Sequence, residues 1–91
     1  MQSPINREEL GRRLYMIRHE RRLTQEEFGD PIGLGKTAVC KLEKGQQCLD
    51  FLDAATLASV HRFCLNTLYS PVWDFTACLL PYEKPQAEAT G

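Results

Sequence analysis

The sequence predicts an all-α domain of four to five short helices, and three observations predict it. Leu10, Leu14 and Ile17 recur at i, i+4 and i+7, the spacing of a buried helical stripe. Capping residues stand ahead of the apolar runs: Asn6 before Glu9, Thr24 before Glu27, Asp50 before Asp53. Gly33 and Gly45 fall where a tight helix–helix turn and a helix end call for a left-handed backbone. The 91 residues suffice for one domain with a modest core, which a second copy of the chain would help to stabilise.

The first helix starts at the Asn6 cap, with Ile5 placed to staple onto Leu10. Arg12, Arg13, His19, Arg21 and Arg22 crowd its other faces. Arg12 and Arg13 read as solvated surface, and Arg21 and Arg22 as cations suited to the helix end. In the second helix Thr24 and Glu27 form a capping box, and Phe28 and Ile32 point inward. Pro31 cannot donate its amide and disfavours helical geometry at Asp30, so this helix should be short or end in a distorted turn. The third helix carries Leu34, Val39 and Leu42 inward, and Gly45 stops it. Lys36, Thr37, Ala38, Cys40, Lys41 and Lys44 remain on its open side. Two helices, a tight turn and one basic face form the layout of a DNA-reading helix-turn-helix.

A fourth helix follows Asp50, with Phe51, Leu52, Ala55, Leu57, Ala58 and Val60 at its apolar positions. Residues 63–69 fit two readings. Leu65, Leu68 and Tyr69 suit a short fifth helix, whereas Phe63, Leu65, Thr67 and Tyr69 lie on one face of a strand. Ser70-Pro71 breaks the segment, and an apolar run continues from Val72 to Leu80. Such a run left in water is a liability, so Trp73, Phe75, Leu79 and Leu80 should be buried, at a dimer surface. The expected organisation is a DNA-binding domain over 1–69, a short helical or stranded dimerisation segment over 70–82, and a flexible tail over 83–91.

Charge is unevenly spread. Residues 1–47 hold nine Lys/Arg against seven Asp/Glu, and residues 48–91 hold two against five. A basic half facing phosphate and an acidic rear would favour correct docking. The start is polar and charged, and no apolar run reaches membrane-spanning length, so a cytoplasmic chain is expected. Cys40, Cys48, Cys64 and Cys78 include no C-x-x-C pair, which argues against a metal site of familiar spacing and leaves them as small apolar packers. Gly35-Lys36-Thr37 looks like the end of a phosphate-binding loop, but that loop needs glycine at position 30, where Asp stands. Cys40 lies near Lys41 and Lys44, yet no histidine can be placed beside it, so neither catalysis nor a cofactor is expected.

Residues from about 6 to 69 resemble the lambda-repressor/Cro-like helix-turn-helix family, also called the XRE family. The residues carrying the resemblance are Leu10, Leu14, Arg18, the stretch Leu23–Phe28 (LTQEEF), Gly33-Leu34, Val39–Gly45 (VCKLEKG), Asp50, Leu52, Leu57 and Ala58. The resemblance implies a compact four- to five-helix bundle that binds double-stranded DNA as a homodimer and represses transcription. It implies that Gln25 contacts a phosphate, that Lys36, Thr37, Cys40 and Lys41 face bases in the major groove, and that Thr24 and Gly35 belong to the same DNA-binding set. Lys44 and Gln46 would grip backbone. Arg18 and Glu43 match a buried structural ion pair between the first helix and the reader. The chain departs from the family pattern at Gly29, Pro31, Arg22 and Gly35, where alanine, continued helix, a turn glycine and a Ser or Asn cap are usual. HipB- and HigA-type antitoxins share this pattern and also bind a toxin protein. A strand at 63–69, pairing across a dimer, would favour that alternative. In either case Phe63, Leu65, Trp73, Phe75 and Leu79 are the expected dimerisation residues.

Overall fold

A computed structural model describes residues 5–82, in which six α-helices and one 3-10 turn enclose a single core. Helix α1 spans Arg7–Glu20, α2 Gln25–Gly29, α3 Lys36–Glu43, α4 Phe51–His61, α5 Leu65–Leu68 and α6 Phe75–Cys78, with the 3-10 turn at Asp30–Ile32. Among the described residues there is no strand, only one antiparallel bridge between Phe63 and Leu79. The all-α class therefore holds. The 83–91 tail lies outside the described residues.

Helix α1 forms for the reasons its sequence announces. The Asn6 carboxamide oxygen accepts from the Glu9 amide at 2.8 Å, and Ile5 packs against the core. Leu10, Leu14 and Ile17 are buried along one stripe. The helix ends with Arg22 in the left-handed region (φ 58°), while the Leu23 amide donates to the Arg18 carbonyl at 3.1 Å. That is the helix-terminating arrangement usually built on glycine. Here an arginine adopts the same backbone, and the buried Leu23 anchors the approach to α2.

Both halves of the Thr24–Glu27 capping box form at the start of α2. Pro31 does cut the helix short. Contrary to expectation, Asp30 remains helical (φ −52°, ψ −44°). The reason is positional: Pro31 sits near the start of a new 3-10 turn, where its missing N–H leaves no bond unmade. Gly33 then turns left-handed at φ 74°. Gly29 also proves necessary, because a methyl added there would lie 2.5 Å from Val39 Cγ2. The glycine lets α2 press directly on α3.

Helix α4 corrects the apolar assignment. Ala54, Leu57, Ala58 and His61 face the core, whereas Phe51, Leu52 and Val60 are exposed. The helix is apolar nearly all round, so composition could not fix which stripe turns inward. Asp50 holds the N-cap position, but its side chain makes no capping bond. The helix stops at Arg62, a second non-glycine residue in the left-handed region (φ 61°). Its carbonyl is held by the Leu80 amide at 3.0 Å and by Arg21 Nη2 at 2.6 Å.

The 63–80 segment folds back onto its own chain. Residues 65–68 are helical, which settles the helix-or-strand alternative. Phe63 is 2% exposed and belongs to the chain's own core, so it is not open to a partner. Leu65, Trp73, Phe75 and Leu79 pack partly buried against that core. Two arginines of α1 and its C-cap hold the segment. Arg13 is 3% exposed, not solvated as expected. Its Nη1 donates to the Leu68 and Ser70 carbonyls, both at 2.7 Å, its Nε to Glu9 at 2.8 Å, and its guanidinium lies over Trp73. Arg21 donates to the His61, Arg62 and Leu80 carbonyls and stacks on Tyr82.

Candidate nucleic-acid interface

Helices α2 and α3 pack closely around the Gly33 turn, and α3 presents one face inward and one outward. Val39 and Leu42 are buried. Lys36, Thr37, Lys41, Lys44 and Gln46 are exposed, and Ala38 and Cys40 are half-buried between them. The expected base-facing residues therefore share one open surface, with no apolar side chain larger than alanine or cysteine among them. Gly35 occupies the N-cap of α3 without a side-chain bond, so no cap covers the first-turn amides of the helix.

The only carboxylate on α3 is turned away from that surface. Glu43 accepts from Arg18 Nε at 2.6 Å and from Arg18 Nη2 at 3.2 Å, a two-pronged pair in which the side chains are 7% and 12% exposed. Arg18 Nη1 also donates to the Leu23 carbonyl at 2.9 Å, and its guanidinium lies over the Tyr15 ring. The pair is thus tied to α1 and to the α1–α2 corner at once. It leaves lysine as the only charged residue type on the open face of α3.

Two further contacts fix the angle of α3. Gln25 Nε2 donates to Glu43 Oε1 at 3.1 Å, so the side chain expected at a phosphate is engaged with the ion pair. Thr24, its neighbour in the expected DNA-binding set, is exposed, but its hydroxyl accepts from the Glu27 amide at 3.0 Å. Gly11 is buried where α1 crosses α3, and a methyl there would lie 2.5 Å from the Glu43 carbonyl oxygen. Sequence reasoning missed Gly11, although a glycine inside an otherwise regular helix is itself a sign of close backbone approach. It also missed Arg13 and Arg21. For Arg13 the signal was present: Glu9 and Arg13 stand four apart, and an arginine with a local partner can be buried.

His61 closes the floor beneath α2. It is 4% exposed, stacks on Phe28 at 4.7 Å, and its Nε2 lies 2.9 Å from the Phe28 carbonyl oxygen. A carbonyl only accepts, so Nε2 carries a proton, and Nδ1 is buried with no hydrogen-bond partner among the described residues, which disfavours a second, charging proton there. Burial pushes its pKa below the ordinary value. Along α1, hydrogen bonds from Arg12 and Arg13 hold the Glu9 carboxyl down at about 2.

Among the described residues, no cluster of three His, Cys, Asp or Glu could hold a metal ion. No described helix is long and apolar enough to cross a membrane. No protein-family model matches the chain, and no curated protein matches its sequence.

Proposed function

We propose that the chain is a sequence-specific DNA-binding regulator of the lambda-repressor/Cro-like kind, a dimeric repressor that lays α3 in the major groove of a near-palindromic operator. One observation carries this reading: α3 exposes Lys36, Thr37, Lys41 and Lys44 together, while its one carboxylate is buried against Arg18. A lysine can hydrogen-bond guanine O6 and N7, and a threonine methyl can meet that of thymine. Lys36, Thr37, Cys40 and Lys41 take the base-facing roles. Lys44 and Gln46, at the far end, take the backbone. The uncapped start of α3 suits a phosphate, because peptide amides and the helix dipole favour an anion there. Gln25, bonded to Glu43, buttresses the reader as well as lying near its phosphate side.

A net charge of −1 does not oppose this reading, since affinity depends on which charges meet phosphate. The antitoxin alternative rests on a strand at 63–69. Leu65–Leu68 of that segment form α5, and among the described residues nothing favours a toxin partner.

Selection of bound sequences from a random DNA pool tests the proposal. A palindrome with half-sites about one helical turn apart is expected. On that site, Lys36→Ala should cost ~1–3 kcal/mol and relax one base position, and Lys44→Ala should weaken all DNA alike and flatten the salt dependence. Absence of any enriched sequence would overturn the reading.

A further inference from the structure

Two of the four cysteines face each other where the chain folds back on itself. The antiparallel bridge pairs Phe63 with Leu79, so the next pair along is Cys64 with Cys78. The Cys64 amide donates to the Cys78 carbonyl at 2.7 Å. Standard backbone dimensions then hold the two Cα atoms within about 6.6 Å of each other. A disulfide takes Cα separations of ~4.4–6.8 Å. The Cys78 side chain also points at its neighbour, with the thiol donating to the Cys64 carbonyl oxygen at 3.6 Å.

We propose that Cys64 and Cys78 form a reversible redox pair, closed to an intrachain disulfide by hydrogen peroxide and reopened by thiol reductants. The two thiols have different roles. Cys78 is fully buried and Cys64 only half-buried, so an oxidant in solvent reaches Cys64 first. Hydrogen bonds from the Thr67 hydroxyl and amide, and from the Asn66 amide, hold the Cys64 thiol below its ordinary pKa, which favours the nucleophilic thiolate. The thiolate sulfur attacks one peroxide oxygen. An S–O bond forms, the O–O bond breaks, and the departing hydroxide takes up the proton that the thiol released. Cys64 is then a sulfenic acid. The Cys78 sulfur attacks it: an S–S bond forms, the S–O bond breaks, and the hydroxyl leaves with the Cys78 proton as water. Two thiols are oxidised, one peroxide is reduced, and two waters result.

In a reducing compartment the pair stays open until an oxidant appears. Closure would pin the segment between Phe63, which sits in the core, and Leu80, whose amide holds the Arg62 carbonyl. A loop of about 15 residues closed in this way stabilises the fold by restricting the unfolded chain. The inference stands apart from the DNA reading, which uses neither cysteine.

A stoichiometric amount of hydrogen peroxide, added to the full reduced chain, tests the pair. The intact mass should fall by two hydrogens, and two of the four thiols should resist alkylation. Chymotrypsin, which cuts between the two cysteines after Tyr69 and Trp73, should release Cys64 and Cys78 peptides joined by a reducible bond. The oxidised chain should melt at least ~5 °C higher, and dithiothreitol should reverse the rise. Cys40→Ser/Cys48→Ser should form the same bond. Cys64→Ser should lose it while melting like the reduced wild type, and Cys78→Ser should hold Cys64 as a sulfenic acid that dimedone captures. Three results would overturn the proposal: four thiols still open to alkylation after peroxide, a bond mapped to any other pair, or a Cys78→Ser variant in which dimedone captures nothing at Cys64.

Discussion

Removing the Glu43 carboxylate is the most informative perturbation of this fold. Glu43→Ala leaves the Arg18 guanidinium 12% exposed with one remaining protein acceptor, the Leu23 carbonyl at 2.9 Å. It also strips Gln25 Nε2 of its acceptor. An exposed ion pair would be worth ~0–1 kcal/mol, but breaking one side of a buried pair costs ~3–5 kcal/mol. The surviving bond to Leu23 places the expected loss at the lower end, about 3 kcal/mol. A domain of this length has ~5–13 kcal/mol of stability in total, so the variant should fold but unfold early. With a slope of ~1 kcal/mol per molar urea, the midpoint should fall by about 3 M. The double variant Arg18→Met/Glu43→Leu should lose less than Glu43→Ala alone, because no charge is then stranded. Urea titrations followed by circular dichroism compare Glu43→Ala with the wild type, and those of Arg18→Met, Glu43→Leu and the double variant complete a four-cornered cycle. A Glu43→Ala loss under about 1 kcal/mol would refute the claim that this pair anchors α3.

Three further outcomes arise from neighbouring contacts. Gly11→Ala should destabilise by ~1–3 kcal/mol, because the methyl meets the Glu43 carbonyl; a raised melting temperature, the usual result of adding alanine to a helix, would show that α1 and α3 can separate freely. His61 is buried neutral with a depressed pKa, so the unfolded chain takes up a proton that the native chain refuses. Stability should therefore be complete above the ordinary value of 6.5 and decline as pH falls below it, by up to ~1.4 kcal/mol per pH unit; thermal melts of the wild type and His61→Gln between neutral and mildly acidic pH should diverge, and parallel curves would contradict the buried neutral ring. Arg13→Met removes the donor to the Leu68 and Ser70 carbonyls and the cation over Trp73. The emission of Trp73, the chain's single tryptophan, should shift to the red in the folded protein, and an unchanged spectrum would mean that the segment holds without Arg13.

What could be read in the sequence depended on whether the relevant physics was local. The Asn6 cap, the Thr24–Glu27 box, the Pro31 break and the Gly33 turn each involve residues within a few positions of one another, and each formed. The Arg18–Glu43 pair spans 25 residues and was accessible only through family resemblance. Helix α4 shows the opposite case. Its residues are apolar on nearly every side, so periodicity carried no phase, and the buried stripe was set by where Phe28 and the rest of the core already stood. Arg13 was misread because charge alone suggested solvent. The Glu9 spacing showed a local partner, but the carbonyls that complete the arginine's burial lie 55 and 57 residues away.

The arginines explain how so small a chain holds a basic reading face. Three arginines on α1 and its C-cap are turned to structural work, each donating to backbone carbonyls of segments distant in sequence or at a helix corner. Arg18 takes the Leu23 carbonyl, Arg13 those of Leu68 and Ser70, and Arg21 those of His61, Arg62 and Leu80. A guanidinium suits this role, since it offers five donors and stays charged. Lysine offers no such fork, and the three lysines among the described residues all stand exposed on α3 or at its end. The division of labour has a consequence for substitution. Arg→Lys at these three positions should impair folding while leaving net charge intact, whereas Lys→Arg on α3 should leave stability within ~0.5 kcal/mol and alter only what the open face recognises.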